Sequence, residues 1–541
     1  MANKFFSILR PPDSAVGATE ASPFRFEEAA SRACDVKFEY IVQESSAKVV
    51  VYPSGSPVKY LKLRFCGDLE FVESVMGDEW ERSGSDAFIE WRSVMASRVL
   101  PWFFYTRGGG VTACYGVKIG PDCFAYWQLD THGITLFLNL MSGKKGTDLK
   151  EPLVACEVVE LVGEEGEDSF DVASRFARLM CPSPKLPKEP IFGVNNWYWA
   201  YGRISHESVM GETDQLMQMC RGTRHRPYMI IDDGWQLNRT YGKNSYIGGP
   251  WIANDRFGGD MSTTADAIHA KGAKAGIWFR PLLTRGEYPE EADYAFASGG
   301  NVLDPSHPYT LEKVERDTAS IRSRGFDLIK HDFTTIDITG KAPLAACNAS
   351  KELCAREKSF FDNTKTTATI IKNLYTAIQR GAGDADVIGC NTVSHLTAGI
   401  HTVYRVGNDT SGRCFEWTRR NGVNSVMRLP LNNVFYNVDP DCAAFTEKVD
   451  AELNLDFLEM CAITGMTALA SVTPGILSDK QMERINSVFR LADEDKLRYK
   501  IANFDKNSNP DVFVSPDKKD VRKFDWISAY DGARSVLSWT D

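Results

Sequence analysis

The stretch FDLIKHDF, residues 326–333, decides the fold. It follows a helical pattern, TLEKVERDTASIRSRG (310–325), and joins a short apolar run to the ionisable triplet Lys330-His331-Asp332. A brief apolar run between a helix and a charged end reads as a strand buried on both faces in a parallel sheet. The same grammar recurs outward along the chain. The other runs are IFGVNNW (191–197), PYMIIDD (227–233), KAGIWF (274–279), ADVIGCN (385–391), HTVYRVGND (401–409), NNVFYNV (432–438) and GMTALAS (465–471). Helical stretches such as HESVMGETDQLMQMC (206–220) and NTKTTATIIKNLYTAIQRG (363–381) lie between them. Eight βα units in about 300 residues have the count and length of a (β/α)8 barrel. An open doubly wound sheet is the alternative, and the lack of a Gly-rich turn after the first run counts against its dinucleotide-binding form.

Upstream, residues 1–181 read as mostly β. VKFEYIVQ, AKVVVYP, VKYLKLRF and FIEWRSV are rich in β-branched and aromatic residues, punctuated by Gly, Pro and Asp. This predicts a β-sandwich, followed by one helix at DSFDVASRFARLMC. The segment CPSPKLPKEP (181–190) has four prolines in ten residues and reads as a stiff linker. The barrel is expected over 190–499 and a short β segment over 500–541, with DVFVSP and FDWISAYDG as strand-like pieces.

The 541 residues carry 62 Lys+Arg against 72 Asp+Glu, a net charge of −10. This balance disfavours a nucleic-acid partner, and a neutral or weakly charged ligand fits better. The 12 Trp and 19 Tyr suit sugar faces, although most such rings fill cores. Thirteen cysteines without CxxC spacing indicate neither a disulfide framework nor a cysteine zinc site; Cys347 and Cys354 could pair. The eight histidines are dispersed, and no metal or cofactor is expected. The N-terminal stretch has no apolar run of signal-peptide length, and none of 18 residues exists, so a cytoplasmic protein without a membrane partner is expected. Homo-oligomerisation stays open.

In a barrel of this kind the chemistry gathers at the C-terminal strand ends. The second run ends in Asp232-Asp233. Alternation along a strand would aim one carboxylate at the mouth and the other at a neighbouring loop. Lys330 and Asp332 stand two apart and share a face, so the ammonium is expected to keep the carboxylate ionised, as a nucleophile requires. Asp409, in RVGND after the sixth run, supplies a second carboxyl. It could serve as acid/base partner in retaining glycoside chemistry or cap a turn.

Taken together these motifs resemble glycoside hydrolase families 36 and 27, the retaining α-galactosidases and α-N-acetylgalactosaminidases. The resemblance covers about residues 190–480 and rests on MIIDDGW (229–235), NDRFGGDMSTTADAIHAKGAKAGIWF (254–279), NVLDPSHP, GFDLIKHDF, RVGND and NVDPD in that order. It implies an exo-acting hydrolase of terminal α-galactose-type residues, with a glycoside or oligosaccharide substrate. Asp332 would be the nucleophile and Asp409 the general acid/base. Asp232 and Asp233 would hold the C4 and C6 hydroxyls, with Lys330 between them and the nucleophile. Trp197 and Trp278 would line the sugar subsite, and Cys390, Asn391 and Arg405 would lie near the C2 and C3 substituents. A raffinose-synthase-like transglycosylase shares these motifs, and a sugar-binding barrel without catalysis is the reading from another class. The chain departs from the family pattern at Phe279-Arg280-Pro281-Leu282, where family 36 has Glu-Pro-Glu, and at Cys390-Asn391-Thr392-Val393-Ser394, which replaces a glycine-rich stretch. Arg280 could select an anionic aglycone or pair with a nearby acid and pin a loop.

Overall fold

The computed structural model describes residues 5–23, 34–82, 91–241, 245–341, 353–494, 498–506 and 509–524. Its central element is a parallel, TIM-like sheet. The strands Phe192–Asn195, Tyr228–Ile231, Lys274–Phe279, Leu328–His331, Asp386–Gly389, Val403–Arg405 and Asn437–Asp439 pair in chain order. On the other side of Phe192–Asn195 lie Ala468–Val472 and then Cys442–Phe445. The two outermost strands are halves of one stretch, 437–445, interrupted at Pro440-Asp441, so the strand order returns on itself. Every pairing is parallel. The strands are mostly apolar because helices cover one face and the packed interior the other; Met229, Ile230 and Ile231 have no exposed surface. All eight apolar runs of the sequence fall on these strands.

Two antiparallel sheets precede the barrel. One orders Ser14–Thr19, Val58–Cys66, Gly133–Asn139, Phe124–Asp130 and Leu100–Pro101. The other orders Phe38–Val42, Ala47–Val51, Leu153–Val162, Val111–Val117, Phe103–Gly108 and Ser74–Gly77. Along Val58–Cys66, buried Leu61, Leu63 and Phe65 alternate with Lys62 and Arg64, the two-residue period of a strand with one packed face. Side chains from both sheets belong to one buried apolar cluster. Of the expected strand FIEWRSV, residues 88–90 lie outside the described residues, and Trp91–Val94 contributes a single bridge, Val75 to Arg92. The predicted helix spans Ser169–Met180, capped by Asp168, whose carboxylate accepts from the Phe170 amide. Lys500–Ile501, Val512–Val514 and Val521–Lys523 form a small antiparallel sheet; most of FDWISAYDG lies outside the described residues. No described helix is long and apolar enough to cross a membrane. Twelve cysteines are free thiols, and Cys347, the suggested partner of Cys354, lies outside the described residues.

The N-terminal sheets are fastened to the barrel mouth by the segment Asp78–Arg82. Asp78 pairs with Arg428 at 2.5 Å, both side chains only 2% exposed. The same guanidinium donates to the Glu81 carbonyl at 3.1 Å, and the Ser394 amide donates to the Trp80 carbonyl at 3.2 Å. His395 stacks on Trp102 with ring centroids 5.1 Å apart. Removing one partner of a buried pair strands the other charge in a low-dielectric interior. Arg428→Met is therefore expected to destabilise the protein by about 3–5 kcal/mol, read as a lowered thermal midpoint and reduced chemical stability. A variant melting with the wild type would show that the pair does not hold the interface.

Candidate active site

The site is a cavity of about 360 Å³ at the C-terminal ends of the barrel strands. The first strand runs into Asn195-Asn196-Trp197. Asn195 donates to Asp232 Oδ2 at 2.7 Å, and Asn196 Oδ1 accepts from the Asp232 amide at 3.0 Å. Trp197 lines the cavity, and Tyr198 beside it donates to Asp441. The second strand stops at Ile231, so Asp232 and Asp233 are no longer bound to strand alternation, and both face the cavity. This corrects the expectation that only one would. The turn that follows needs glycine: Gly234 has φ 132°, and a Cβ there would come within 2.3 Å of the Gly202 carbonyl oxygen.

Each of these carboxyl groups has its own cation. Lys330 Nζ lies 2.7 Å from Asp232 Oδ2. Burial is the strongest single influence and works against the ammonium, but Asp232, Cys390 and Asp441 together hold Lys330 well above the ordinary lysine value. Asp233 pairs with Arg239 at 2.7 Å and accepts from Gln236 at 2.7 Å. Burial still dominates, and the Asp233 carboxyl is pushed up to about 6.

Asp332 lines the same cavity from the end of the fourth strand. Its Oδ1 accepts from the Phe333 amide at 2.7 Å and its Oδ2 from Trp278 Nε1 at 3.2 Å. Phe333 takes a left-handed conformation, φ 64°, where the strand turns into the helix Thr334–Thr339. Lys330, expected to pair with Asp332, is instead turned across to Asp232. His331 points into the barrel wall, fully buried, where desolvation lowers it to about 3 and keeps it neutral.

Asp409 is 58% exposed into the cavity and lies 2.9 Å from Arg405 and 3.6 Å from Arg82. Its surroundings raise the cost of charge, but Arg405, Arg82 and Lys330 together bring the carboxyl below its ordinary value. Arg405 itself is 1% exposed and committed to Asp441 at 2.7 Å, to Asp409 and to Cys390 Sγ at 3.6 Å. Arg405 and buried Cys390 therefore stand behind the cavity wall, which of the expected C2–C3 group only Asn391 reaches. Arg280 is buried and pairs through two nitrogens with fully buried Asp337, its guanidinium 4.2 Å from the Phe333 ring centre. That is the loop-pinning alternative; an arginine neutralised in this way offers no free charge to an anionic aglycone.

Sequence reasoning missed Arg82 and Arg239, both lining the cavity, and Asp441, which braces Arg405. Arg239 carries a local signal, standing four residues after the DDGW turn. Arg82 carries none, since it arrives from the N-terminal sheets, more than 300 residues away from Asp409. Among the described residues no three His, Cys, Asp or Glu side chains converge as a metal ion would require.

The fold is a parallel TIM-like sheet whose strand ends gather carboxyl groups and an indole around one cavity. The proteins it is similar to are named α-galactosidases. No family model matches the chain. It is 28% identical over 163 residues to α-galactosidase Mel36A of Lactobacillus acidophilus, covering 29% of this chain and 21% of that protein. It is 27% identical over 160 residues to an α-galactosidase of Oryza sativa, covering 29% and 33%. The matches thus span between a fifth and a third of these relatives. Among solved structures, the α-galactosidase TtGalA of Thermus thermophilus, in complex with p-nitrophenyl α-D-galactopyranoside, superposes with a TM-score of 0.60 at 16% identity, over 90% of this chain and 96% of that one. The family 36 α-galactosidase AgaA of Geobacillus stearothermophilus, in complex with 1-deoxygalactonojirimycin, gives 0.61 at 13% identity, over 90% and 72%.

One buried acid behind the site has a measurable signature. Glu212 is 5% exposed and accepts from Trp199 Nε1 at 3.2 Å. Burial raises it to about 8. The folded protein then holds a proton that the unfolded chain releases near 4.3. Stability should fall as pH rises from about 5 to about 8, by up to about 1.4 kcal/mol per pH unit, and not further above. Glu212→Gln, which mimics the protonated acid, should remove that slope. Parallel thermal-midpoint profiles for the two proteins over this range would rule the assignment out.

Proposed function

We propose that this chain is a retaining, exo-acting α-galactosidase, built as a β-sandwich (1–181), a closed (β/α)8 barrel (190–499) and a short β segment (500–541). The observation that carries the reading is the joint exposure of Asp332 and Asp409, from the fourth and sixth strand ends, to one small cavity that also presents Asp232, Asp233, Trp197 and Trp278. A terminal galactose-type ring packs on the indoles while the two aspartates and Lys330 take its hydroxyls. The oligosaccharides and galactosides bound in the related structures support a sugar of this class.

Asp332, held by the Phe333 amide and the Trp278 indole, attacks the anomeric carbon and forms the glycosyl-enzyme. Asp409 protonates the leaving oxygen and then takes a proton from the attacking water. The cations around Asp409 keep it a carboxylate in the free protein at neutral pH. Turnover of substrates with basic leaving groups is therefore expected to favour acidic solution.

The test is hydrolysis of p-nitrophenyl and methyl α-galactosides with the first-formed anomer followed by NMR. The α-anomer should appear first. Asp332→Asn should abolish turnover of both substrates. Asp409→Asn should slow the methyl glycoside about 10²–10⁴-fold and the aryl glycoside less, because nitrophenolate leaves without a proton. Wild-type inactivity on both substrates, or full activity of Asp332→Asn, would refute the assignment.

A further inference from the structure

One residue of the cavity lining, Arg82, comes from the segment that follows the N-terminal strand Ser74–Gly77. We propose that Arg82 is a positioning residue of the site, gripping the Asn391 amide oxygen and the Asp409 carboxylate with one guanidinium. The proposal rests on the glycosidase reading and adds to it a residue from outside the barrel.

The geometry carries it. Asn391 satisfies its surroundings with Oδ1 turned toward Arg82, accepting from its NH2 nitrogen at 3.0 Å and its Nε at 3.2 Å. Arg82 NH1 stands 3.6 Å from Asp409 Oδ1, and its side chain is 18% exposed, on the cavity surface. The backbone of Asn391 is equally fixed, its carbonyl accepting from Thr334 Oγ1 at 2.6 Å and Thr335 Oγ1 at 2.9 Å. Arg405 holds Asp409 as well, at 2.9 Å, but the same nitrogen is shared with Asp441 and its other terminal nitrogen is turned to Cys390. Arg82 in turn is held in place because its own segment is clamped by Arg428 at Asp78 and Glu81.

Two consequences follow. With Oδ1 engaged, Asn391 keeps its amino hydrogens for the ligand. This wall therefore offers donors, which suit the hydroxyl oxygens of a sugar. Secondly, Asp409 is faced by Arg405 on its own strand end, by Arg82, by Lys330 of the fourth strand, by Asp441 and Tyr198, and shares the cavity with Asp332. Taking away Arg82 removes one of the two cations within 4 Å, so Asp409 binds its proton more tightly.

A general acid works only when protonated, so its pKa sets the alkaline limb of kcat/KM. In Arg82→Gln that limb, measured on methyl α-galactoside, should move to higher pH by about one unit. Arg82→Lys, which keeps the charge, should leave it near the wild-type position. Calorimetry with 1-deoxygalactonojirimycin should show about tenfold weaker binding to Arg82→Gln. A limb and an affinity both unchanged in Arg82→Gln would overturn the proposal. Should the wild-type protein hydrolyse no α-galactoside, the glycosidase reading fails instead, and the binding comparison alone decides the role of Arg82.

Discussion

The site depends on one electrostatic constraint: several carboxyl groups crowd a small, poorly solvated mouth, and like charges so close cannot coexist without cations between them. The protein interleaves the two signs. Lys330 answers Asp232, Arg239 answers Asp233, and Arg405 answers Asp441 and Asp409. Lys330 and Arg405 reach Asp232 and Asp441 from a different strand end, whereas Arg239 pairs with Asp233 within one loop and Arg405 with Asp409 four residues on. The barrel's register is thereby tied to its chemistry. A strand slipped by one residue would turn Lys330 into the outer layer and leave Asp232 unpaired.

Local grammar made the barrel legible. Short apolar runs such as YMII, bounded by helical patterns, read as strands covered on both faces, and the helices between them fix the parallel sense. The positions of Asp232, Asp233, Asp332 and Asp409 followed because strand ends are where a barrel exposes side chains. Partnership was harder to read. Proximity in sequence sets Lys330 beside Asp332, yet its ammonium lies 2.7 Å from Asp232 at the end of the second strand. The family resemblance sets Arg405 on the sugar side. Its guanidinium is drawn inward by Asp441, which becomes visible only when the seventh strand breaks at Pro440 and turns its acid toward the sixth.

Arg82 marks the limit of such reading. Nothing near it in the chain distinguishes it from a surface arginine. Its role depends on the docking of two antiparallel sheets against the barrel, a contact with a sequence separation of more than 300 residues. The docking surface also buries polar groups, with Asp78 and Arg428 sealed against solvent and His395 stacked on Trp102. Periodicity describes elements, and this interface is made of side-chain complementarity between elements.

The clamp between Asp78 and Arg428 bears on how such a molecule can change over time. Because a barrel residue fixes the segment that delivers Arg82, exchanging one half for that of a relative without the matching residue would leave a buried ion bare. Swapping at the proline-rich joint is therefore tolerated only where both halves carry the pair, whereas single residues along the mouth can change independently of it.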